Sequence, residues 1–561
     1  MSASPITGVG VGRGAVVGPV ARAHPVPRVP ADAPSPADPA AAADGVTAVF
    51  AEVADTLQSR AEAATGTLSE VLSATALMAR DAALSGQAAA KVREGMAPSL
   101  AVAQVAGQFI EMFTAAGGYM AERATDLASV RDRVIARLEG LPEPGVPALS
   151  RPSVVVAEDL SPADTAVLDL ANVLGIVIEK GGPTSHTAII AGQLGLPCVV
   201  RATEAAGLKD GDVVAVDAAH GTVIVDPDED VRAAVEARRA ALAELATDTG
   251  DGATSDGHGV QLLANIGTAE DAERLTDAAV QGVGLFRTEV LFLDAQTAPT
   301  EDDQAAVYAR ALSALGGRKV VIRTLDAGAD KPLAFVTQPG EENPALGVRG
   351  YRLVRAAPEL LTTQLAAIAR AQATTGGTPW VMAPMIATVS EAADFADAAR
   401  AAGIATVGVM VEVPAIALRA RDVLAEVDFV SIGTNDLAQY TMATDRLRGE
   451  LVDLLDMWQP ALLDLVSATA EAGVELGKPV GVCGESAADP VMALVLTGVG
   501  VTSLSMSPAA VPGVRFALRA HTLARCQEMA AAARAARTAP EARAAALALV
   551  DAHVRAVLAL D

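Results

Sequence analysis

The strongest constraint on the fold is a series of eight short apolar segments in the second half of the chain, separated by segments of helical periodicity. They lie at residues 260–265, 282–287, 319–324, 380–385, 407–412, 429–433, 479–484 and 501–506. Apolar strands that alternate with helices are typical of a parallel sheet covered by those helices. Eight such units in about 300 residues predict a closed (β/α)8 barrel. A doubly wound open sheet is the alternative.

Polar or charged side chains stand at the carboxyl end of nearly every one of these segments. Barrels of this class carry their active sites at that end, because the loops that follow the strands meet there. The residues concerned are Asn265, Arg287, Arg323, Glu412, Asn435, Asp436 and Cys483. An active site at this mouth of the barrel is therefore predicted, although any single arginine could simply pair with a neighbouring acid.

The charged residues of this half divide into two chemical groups. One group is cationic and could collect a phosphate and a carboxylate, because arginine binds both through paired hydrogen bonds. Its members are Arg287, Arg323, Arg349, Arg446 and Lys331. The other group, Glu412 and Asp436, offers the hard oxygen ligands that Mg²⁺ takes together with phosphate oxygens and water.

One cysteine also stands at a strand end. Cys483 lies in the sequence VCGES, where the neighbouring glycine favours an exposed thiol with an acid–base role. Cys198 and Cys526 lack such a setting and are predicted to be structural. Three cysteines in a long chain fit a reducing compartment without disulfides.

A histidine in the first half has the most informative surroundings. His186 lies in GGPTSHTAII, a glycine-rich turn that leads into a small-residue, apolar helix. Such a turn offers backbone N–H groups and a helix N-terminus, both of which suit a phosphate. An imidazole at this position can carry a phosphoryl group.

The remaining patterns predict how the chain is divided. Helical periodicity fills residues 46–139, between Pro-rich or Ala-rich linkers, whereas short strands precede and follow it. The predicted domains are an α/β domain of residues 1–22 plus 141–228, an inserted helical domain at 40–140, a linker helix and junction at 229–258, and a barrel at 259–561.

Charge and hydropathy exclude some function classes. The net charge of −26 argues against nucleic acid as a ligand. The N-terminus shows no signal-peptide pattern, and the one long uncharged run, residues 491–514, is interrupted by serine, threonine and proline. We therefore expect a cytoplasmic protein without membrane insertion.

Taken together, the motifs resemble Enzyme I of the bacterial sugar phosphotransferase system. The resemblance runs through essentially the whole chain and rests on the order and spacing of GGPTSHTAII, GLFRTE, RTLDAGADKP, NPALGVRGYR, VMVEVPAIAL, SIGTNDLAQYTMATDR, VCGES and SLSMSP. It implies a multidomain α/β fold, in which a swivelling phosphohistidine domain with an inserted helical bundle precedes a (β/α)8 barrel.

The resemblance also implies a reaction and a set of roles. His186 would take the phosphoryl group of phosphoenolpyruvate, and Cys483 would protonate the enolate to give pyruvate. Mg²⁺ would be held by Glu412 and Asp436. The substrate would be bound by Arg287, Arg323, Asn435, Asp436, Arg446, Arg349 and Lys331. The helical domain would dock the carrier protein HPr, which receives the phosphoryl group, and the barrel would form a homodimer.

The sequence departs from the family pattern at one position, and two other functions would fit part of the same motifs. The family often carries an arginine six residues after the histidine, and Gly192 stands there instead. A phosphoenolpyruvate synthase or pyruvate phosphate dikinase would share the histidine domain and the barrel, but it would need a nucleotide-binding domain where helices are predicted. A non-catalytic regulatory relative would be expected to lose the polar residues of the barrel.

Overall fold

A computed structural model describes residues 5–12, 14–30, 32–63, 67–116, 118–147, 149–160, 168, 171–182, 185–293, 295, 297–327, 333, 335–336, 341–446 and 449–560. The chain divides into two compact units, Met1–Ala240 and Ala241–Asp561. Each unit has its own hydrophobic core.

Five helices of the first unit pack on one another around a core of their own. They are α1 (Pro39–Ala63), α2 (Thr67–Ala79), α3 (Ala82–Arg93), α4 (Pro98–Ala116) and α5 (Gly118–Leu138). Val46, Phe50, Val53 and Leu57 of α1 are buried, and their spacing places them along one face of the helix. This face and the apolar faces of the other helices form the core of the bundle.

Eight strands of the described chain form the sheet of the first unit. They are β1 (Ile6–Thr7), β2 (Val9–Val11), β3 (Ala15–Arg22), β4 (Ser153–Ala157), β5 (Val173–Ile178), β6 (Cys198–Val200), β7 (Val213–Asp217) and β8 (Thr222–Val225). Their order is β1-β8-β7-β3-β4-β5-β6-β2, and β3 to β6 run parallel. Helix α6 (His186–Leu194) precedes β6, and α7 (Glu229–Ala246) follows β8.

The two segments that join the sheet to the helices contact each other. The backbones of His24 and Gly145 exchange two hydrogen bonds, of 2.9 and 3.1 Å. The Glu143 carboxylate forms ion pairs with Arg60 at 2.5 Å and Arg133 at 3.2 Å. The segment that follows α5 is therefore tied both to the segment that precedes α1 and to the helices.

The second unit contains a closed barrel of eight parallel strands, which confirms the predicted (β/α)8 fold and excludes the open sheet. The strands are β9 (Gln261–Ile266), β10 (Gly282–Arg287), β11 (Lys319–Arg323), β12 (Trp380–Ala383), β13 (Thr406–Val411), β14 (Phe429–Ile432), β15 (Val480–Val482) and β16 (Ser503–Met506). Closure is made between β16 and β9, where Ser503 pairs with Gln261 and Met506 with Ala264.

Helices surround the barrel and continue beyond it. They are α8 (Ala269–Arg274), α9 (Val290–Leu293), α10 (Glu301–Ala314), α11 (Pro358–Thr375), α12 (Val389–Ala401), α13 (Pro414–Ala417), α14 (Ala420–Glu426), α15 (Thr434–Thr441), α16 (Pro460–Leu476), α17 (Pro490–Gly498), α18 (Val511–Ala520), α19 (Leu523–Arg534), α20 (Ala539–Leu547) and α21 (Ala552–Leu558). Thr268, Thr300 and Thr388 begin α8, α10 and α12 with capping boxes. None of the described helices combines the length and the apolar character needed to cross a bilayer.

A buried histidine connects two of the C-terminal helices. His521 is 3% exposed and directly follows α18. Its Nδ1 lies 2.7 Å from the Ala517 carbonyl oxygen, and its Nε2 accepts a 2.9 Å hydrogen bond from the N–H of Asp551, the N-cap of α21. A ring nitrogen that accepts an N–H carries no proton, so Nδ1 is the ring nitrogen that donates to the Ala517 carbonyl.

We expect His521→Leu to lower the free energy of unfolding by about 2–3 kcal/mol, because the Asp551 N–H and the carbonyl of buried Ala517 would lose their partner. Denaturant titration followed by circular dichroism measures this change. His258→Ala, at an exposed ring of the same unit, should change stability by less than about 0.5 kcal/mol. Equal stability of His521→Leu and the wild type would contradict the assigned contacts.

Candidate active site

The structure brings most of the predicted site residues to one mouth of the barrel. Arg287 and Arg323 end β10 and β11, Glu412 and Cys483 directly follow β13 and β15, and Asn435 and Asp436 lie in the first turn of α15 after β14. Because all eight strands are parallel, these positions share one end of the barrel. Lys331 lies outside the described residues.

A buried carboxylate, Asp326, is at the centre of the charge network beneath this mouth. Its side chain is fully buried and accepts two hydrogen bonds from Arg349 Nη2, both of 3.2 Å. Arg323 Nη1 lies 3.2 Å from its other side. Asp326 therefore pairs with two buried arginines at once, which offsets part of the desolvation cost of all three charges.

Each of the two arginines also has a second acidic partner. Arg323 pairs with Glu289, which is itself buried. Burial opposes the charge of Arg323, but the carboxylates of Glu289 and Asp326 outweigh burial and raise the pKa of the guanidinium. Arg323 is therefore held in its charged form at the top of the barrel interior.

Arg349 lies deeper than the sequence alone indicates. It is 1% exposed, and its Nη1 lies 3.4 Å from both Asp436 Oδ1 and the Tyr440 hydroxyl, while Nη2 binds Asp326. The contacts that the structure describes hold acids in place, and the role of Arg349 in binding substrate stays a prediction. The residues nearer solvent are Arg287, half-buried, and Arg446, whose side chain is 34% exposed and lies 3.7 Å from Asp436 Oδ1.

Glu412 is held by an unusual backbone conformation. Its side chain is buried, and its Oε1 accepts the N–H of Met385, a residue with φ of +56°. Such a conformation is costly for a residue with a Cβ and often marks a functional site. Burial, together with the neighbouring carboxylates of Asp436 and Asp326, raises the pKa of Glu412.

Glu412 and Asp436 together form a suitable donor set for Mg²⁺. Each uses one carboxylate oxygen in the contacts given above, whereas Glu412 Oε2 and Asp436 Oδ2 accept no hydrogen bond from a described residue. Gly433 keeps the space beside Glu412 open, since a Cβ there would lie 2.9 Å from Oε2. No described group of three or more His, Cys, Asp or Glu forms a metal cage. Two carboxylates that leave the other positions to phosphate oxygens and water are the usual way in which proteins hold Mg²⁺.

Cys483 lies in the interior of the barrel, and the expectation of an exposed thiol is wrong. It is 2% exposed, lies in a buried apolar cluster with Met410 and Phe429, and its Sγ lies 3.7 Å from the Ile432 carbonyl oxygen. Gly484 does not expose the thiol. It leaves space for Thr434, because a Cβ at position 484 would lie 2.0 Å from Thr434 Oγ1. Burial raises the pKa of the Cys483 thiol, so the thiol keeps its proton at neutral pH.

Two amides position the loops around Cys483. Asn265 Nδ2 donates to the Cys483 carbonyl oxygen at 3.3 Å, and its Oδ1 accepts the Ser505 hydroxyl at 2.6 Å. Asn435 Oδ1 accepts the N–H of Glu485 at 3.0 Å. The strand-end amides therefore connect neighbouring strands and fix the backbone on both sides of the thiol.

Sequence reasoning missed several residues of this site. Glu289 and Asp326 follow Arg287 and Arg323 within GLFRTE and RTLD, and an acid two or three residues after a strand-end arginine was the signal available. Gln364 had no such signal. Gln364 is buried on α11, accepts the Leu325 N–H at 2.9 Å and donates to the Thr288 hydroxyl at 3.0 Å, so it supports the loops after β11 and β10.

The His186 turn lies in the first unit, at the carboxyl edge of its parallel strands. His186 is the first residue of α6, which Ser185 caps by accepting the Ala188 N–H. Gly181 has φ of +76°, which glycine adopts without strain, and Ser185 N–H donates to the Gly182 carbonyl at 2.9 Å. The nine-residue helix α6 therefore begins at His186, and seven residues separate it from the end of β5.

We expect Gly350→Ala to destabilise the second unit more than Gly376→Ala does. Both glycines have a positive φ, of +56° and +69°. A Cβ at Gly350 would lie 2.9 Å from Met385 Cβ, whereas a Cβ at Gly376 meets nothing within 4 Å. Gly376→Ala should cost about 1–2 kcal/mol of unfolding free energy for its φ alone, and Gly350→Ala about 1–3 kcal/mol more. Chemical denaturation checks this, and equal losses would show that Met385 can move freely.

Three consecutive parts of the chain match one group of families. Residues 7–123 match the description "PEP-utilising enzyme, N-terminal", residues 149–221 "PEP-utilising enzyme, mobile domain", and residues 243–523 "PEP-utilising enzyme, PEP-binding domain". The last of these covers the barrel strands and the mouth described above.

Curated relatives agree with these matches. A phosphoenolpyruvate-protein phosphotransferase of Streptomyces coelicolor is 49% identical over 97% of this chain and 99% of the relative. Relatives of the same name from Haloferax volcanii and Bacillus subtilis are 42% and 40% identical, over 76% and 72% of this chain and 77% and 74% of their own lengths.

Proposed function

Since the chain belongs to the phosphoenolpyruvate-protein phosphotransferase family, also called Enzyme I, we propose that it transfers the phosphoryl group of phosphoenolpyruvate to His186 and then to a histidine of the carrier protein HPr, releasing pyruvate. This is the first general step of sugar uptake by the phosphotransferase system. The observation that carries the proposal is the set of arginines, acids and one buried thiol at the carboxyl mouth of a single barrel.

The mouth suits a small, highly charged anion. Arg287, with no hydrogen bond or ion pair to a described residue, and the partly exposed Arg446 are the cations best able to reach a substrate phosphate or carboxylate. Below them, the charges of Arg323 and Arg349 are balanced by Glu289, Asp326 and Asp436, so these two arginines chiefly hold the acids of the mouth in place. Asn435, exposed and oriented by Glu485, adds a hydrogen-bonding amide.

Mg²⁺ fits the two carboxylates at this mouth. Glu412 and Asp436 would hold it through the oxygens that no described residue occupies. When bound, the ion supplies positive charge to the phosphate oxygens. The raised pKa of Glu412 supports this assignment, because a buried carboxylate beside other carboxylates is stabilised by a cation.

The chemistry divides between His186 and Cys483. His186 attacks phosphorus, the bond from phosphorus to the enol oxygen breaks, and the enolate of pyruvate leaves. The Cys483 thiol then gives its proton to the methylene carbon, which completes pyruvate, and the thiolate regains a proton from solvent. A thiol that burial keeps protonated is suited to this task.

His186 and the mouth belong to different units of the chain, so one histidine must visit two partners in turn. We propose that the first unit swivels about residues 141–150 and 226–259 to carry the phosphoryl group from the barrel to HPr. HPr would dock on the helices within residues 40–140. Pairing of two barrels through residues 259–561 and a cytoplasmic location are further predictions from family membership.

The rival functions have less support. A synthase or dikinase would use ATP through a nucleotide-binding domain, whereas residues 40–140 form the helices α1 to α5 in the described chain. A non-catalytic relative would be expected to have lost the polar residues of the barrel mouth, which are present. Neither rival is favoured by a particular contact.

We expect ³²P from labelled phosphoenolpyruvate to appear on His186 of the wild type, to pass to purified HPr, and to do neither without Mg²⁺. His186→Ala should lose at least about 10³-fold in transfer, since no other group would replace the nucleophile. His220→Ala, at an exposed histidine of the same unit, serves as the control and should transfer normally. Labelling by γ-³²P-ATP but not by phosphoenolpyruvate would establish the rival enzyme class instead.

We expect Cys483→Ser to slow pyruvate formation by about 10²- to 10⁴-fold, because a hydroxyl is a much weaker acid than a thiol. Rapid-quench measurement of pyruvate against phosphohistidine separates the two steps, and phosphorylation of His186 should be slowed less. Cys526→Ser, which changes a buried thiol on α19 outside the mouth, is the matched control. Pyruvate release at the wild-type rate would show that another group donates the proton.

A further inference from the structure

We infer that Arg201 binds the phosphoryl group while His186 carries it. The inference rests on the proposed function and adds to it a residue outside the predicted set. It answers a question that the sequence left open, because Gly192 has no side chain with which to reach the phosphohistidine. The evidence is the position of Arg201, its contact with the His186 turn and its lack of an acidic partner.

The topology of the sheet brings Arg201 to the His186 turn. β5 and β6 are neighbouring parallel strands, in register at Ile176 with Cys198 and at Val177 with Val199. Arg201 directly follows β6, and the turn follows β5, so both lie at the same edge of the sheet. The N–H of Ala202 donates to the Ile178 carbonyl at 3.0 Å, which holds the two strand ends together.

The guanidinium of Arg201 lies against the backbone of the turn. A Cβ placed on Gly182 would be 3.3 Å from Arg201 Nη2 and 3.9 Å from both Cζ and Nε. Gly182 is four residues before His186 and accepts the Ser185 N–H that closes the turn. Arg201 therefore reaches the segment that leads to the histidine, and glycine at position 182 allows this close approach.

The charge of Arg201 is available for a ligand, whereas Glu179 and Lys180 at the same edge each have a partner of opposite charge. Glu179 pairs with Arg22 at 2.5 Å, and Lys180 pairs with Glu158. No carboxylate in the described part of the chain lies within 4.0 Å of the Arg201 guanidinium, and Arg201 is exposed. A planar, permanently charged fork is well suited to a dianionic phosphoryl group.

The backbone conformation of Arg201 is strained, so a side chain at this position has a cost in conformational free energy. Its φ is +57°, the left-handed region that costs a residue with a Cβ roughly 1–2 kcal/mol. Glycine would adopt the same conformation without strain. Arg201→Gly should therefore keep or raise thermal stability while it removes the guanidinium, which separates a functional loss from a structural one.

The test compares Arg201→Gly, Arg201→Lys and the control Arg151→Gly in the full-length protein. Arg151 is exposed and precedes β4, at the opposite edge of the sheet from the turn. We expect ³²P transfer from phosphoenolpyruvate to His186 to slow by on the order of 10- to 100-fold in Arg201→Gly. Arg201→Lys should retain an intermediate rate, Arg151→Gly should match the wild type, and the Tm of Arg201→Gly should not fall.

Each outcome either supports or overturns the inference. A ³¹P spectrum of the phosphorylated protein should show a shifted resonance in Arg201→Gly, because the phosphoryl group would lose a contact that a structural role does not provide. Wild-type rates and an unchanged resonance in Arg201→Gly would overturn it, as would an equal loss in Arg151→Gly. If the wild type itself takes no label from phosphoenolpyruvate, the proposed function has failed instead, so the two failures are distinguishable.

Discussion

The barrel mouth depends on the balance of buried charge around Asp326. Three ionised groups, Asp326, Arg323 and Arg349, are nearly excluded from water, and each would be strongly destabilising without its partners. Their pairing fixes the directions of both arginines and, through Arg349, the position of Asp436. These ion pairs therefore hold the loops that follow β11 and β14, together with the apolar packing of residues such as Leu325 and Leu437. This arrangement keeps a charged site rigid at the end of a barrel whose interior is otherwise largely apolar.

Small residues make room for this charge network. Gly350 allows Met385 and Asp326 to approach, Gly433 clears the space beside Glu412, and Gly484 admits Thr434. A side chain at any of these positions would meet backbone or a site residue at 3.3 Å or less. The strained Met385 fits the same picture, since it has a positive φ and its N–H donates to Glu412. Close packing of the mouth therefore explains why glycine stands at these three positions, although the glycines have no catalytic task of their own.

The two proposed binding sites of the phosphoryl group, the barrel mouth and the His186 turn, use cations differently. At the barrel mouth, the arginines lie in a network of acids, which suits a site that must also release pyruvate. At the His186 turn, the Arg201 guanidinium has no carboxylate within 4.0 Å among the described residues, on a protein of net charge −26. A phosphoryl group carried there has one guanidinium to neutralise it and an exposed path to the next acceptor. Such weak, local stabilisation suits a carrier that must give the group away again.

The sequence alone indicated eight β/α units, because a strand buried on both sides must be continuously apolar and the chain contains eight such runs. The structure decided that these strands close into a barrel and do not form an open sheet. The sequence also located Arg287, Arg323, Glu412, Asp436 and Cys483, since strand ends follow directly from strand positions. Only the tertiary structure decided which groups meet. It placed Cys483 in the interior, Arg349 beneath the acids, and Arg201 against the turn four residues before His186. These outcomes depend on neighbouring strands that are distant in the chain, such as β5 and β6, and on the space that a missing Cβ leaves, neither of which can be read from residue order.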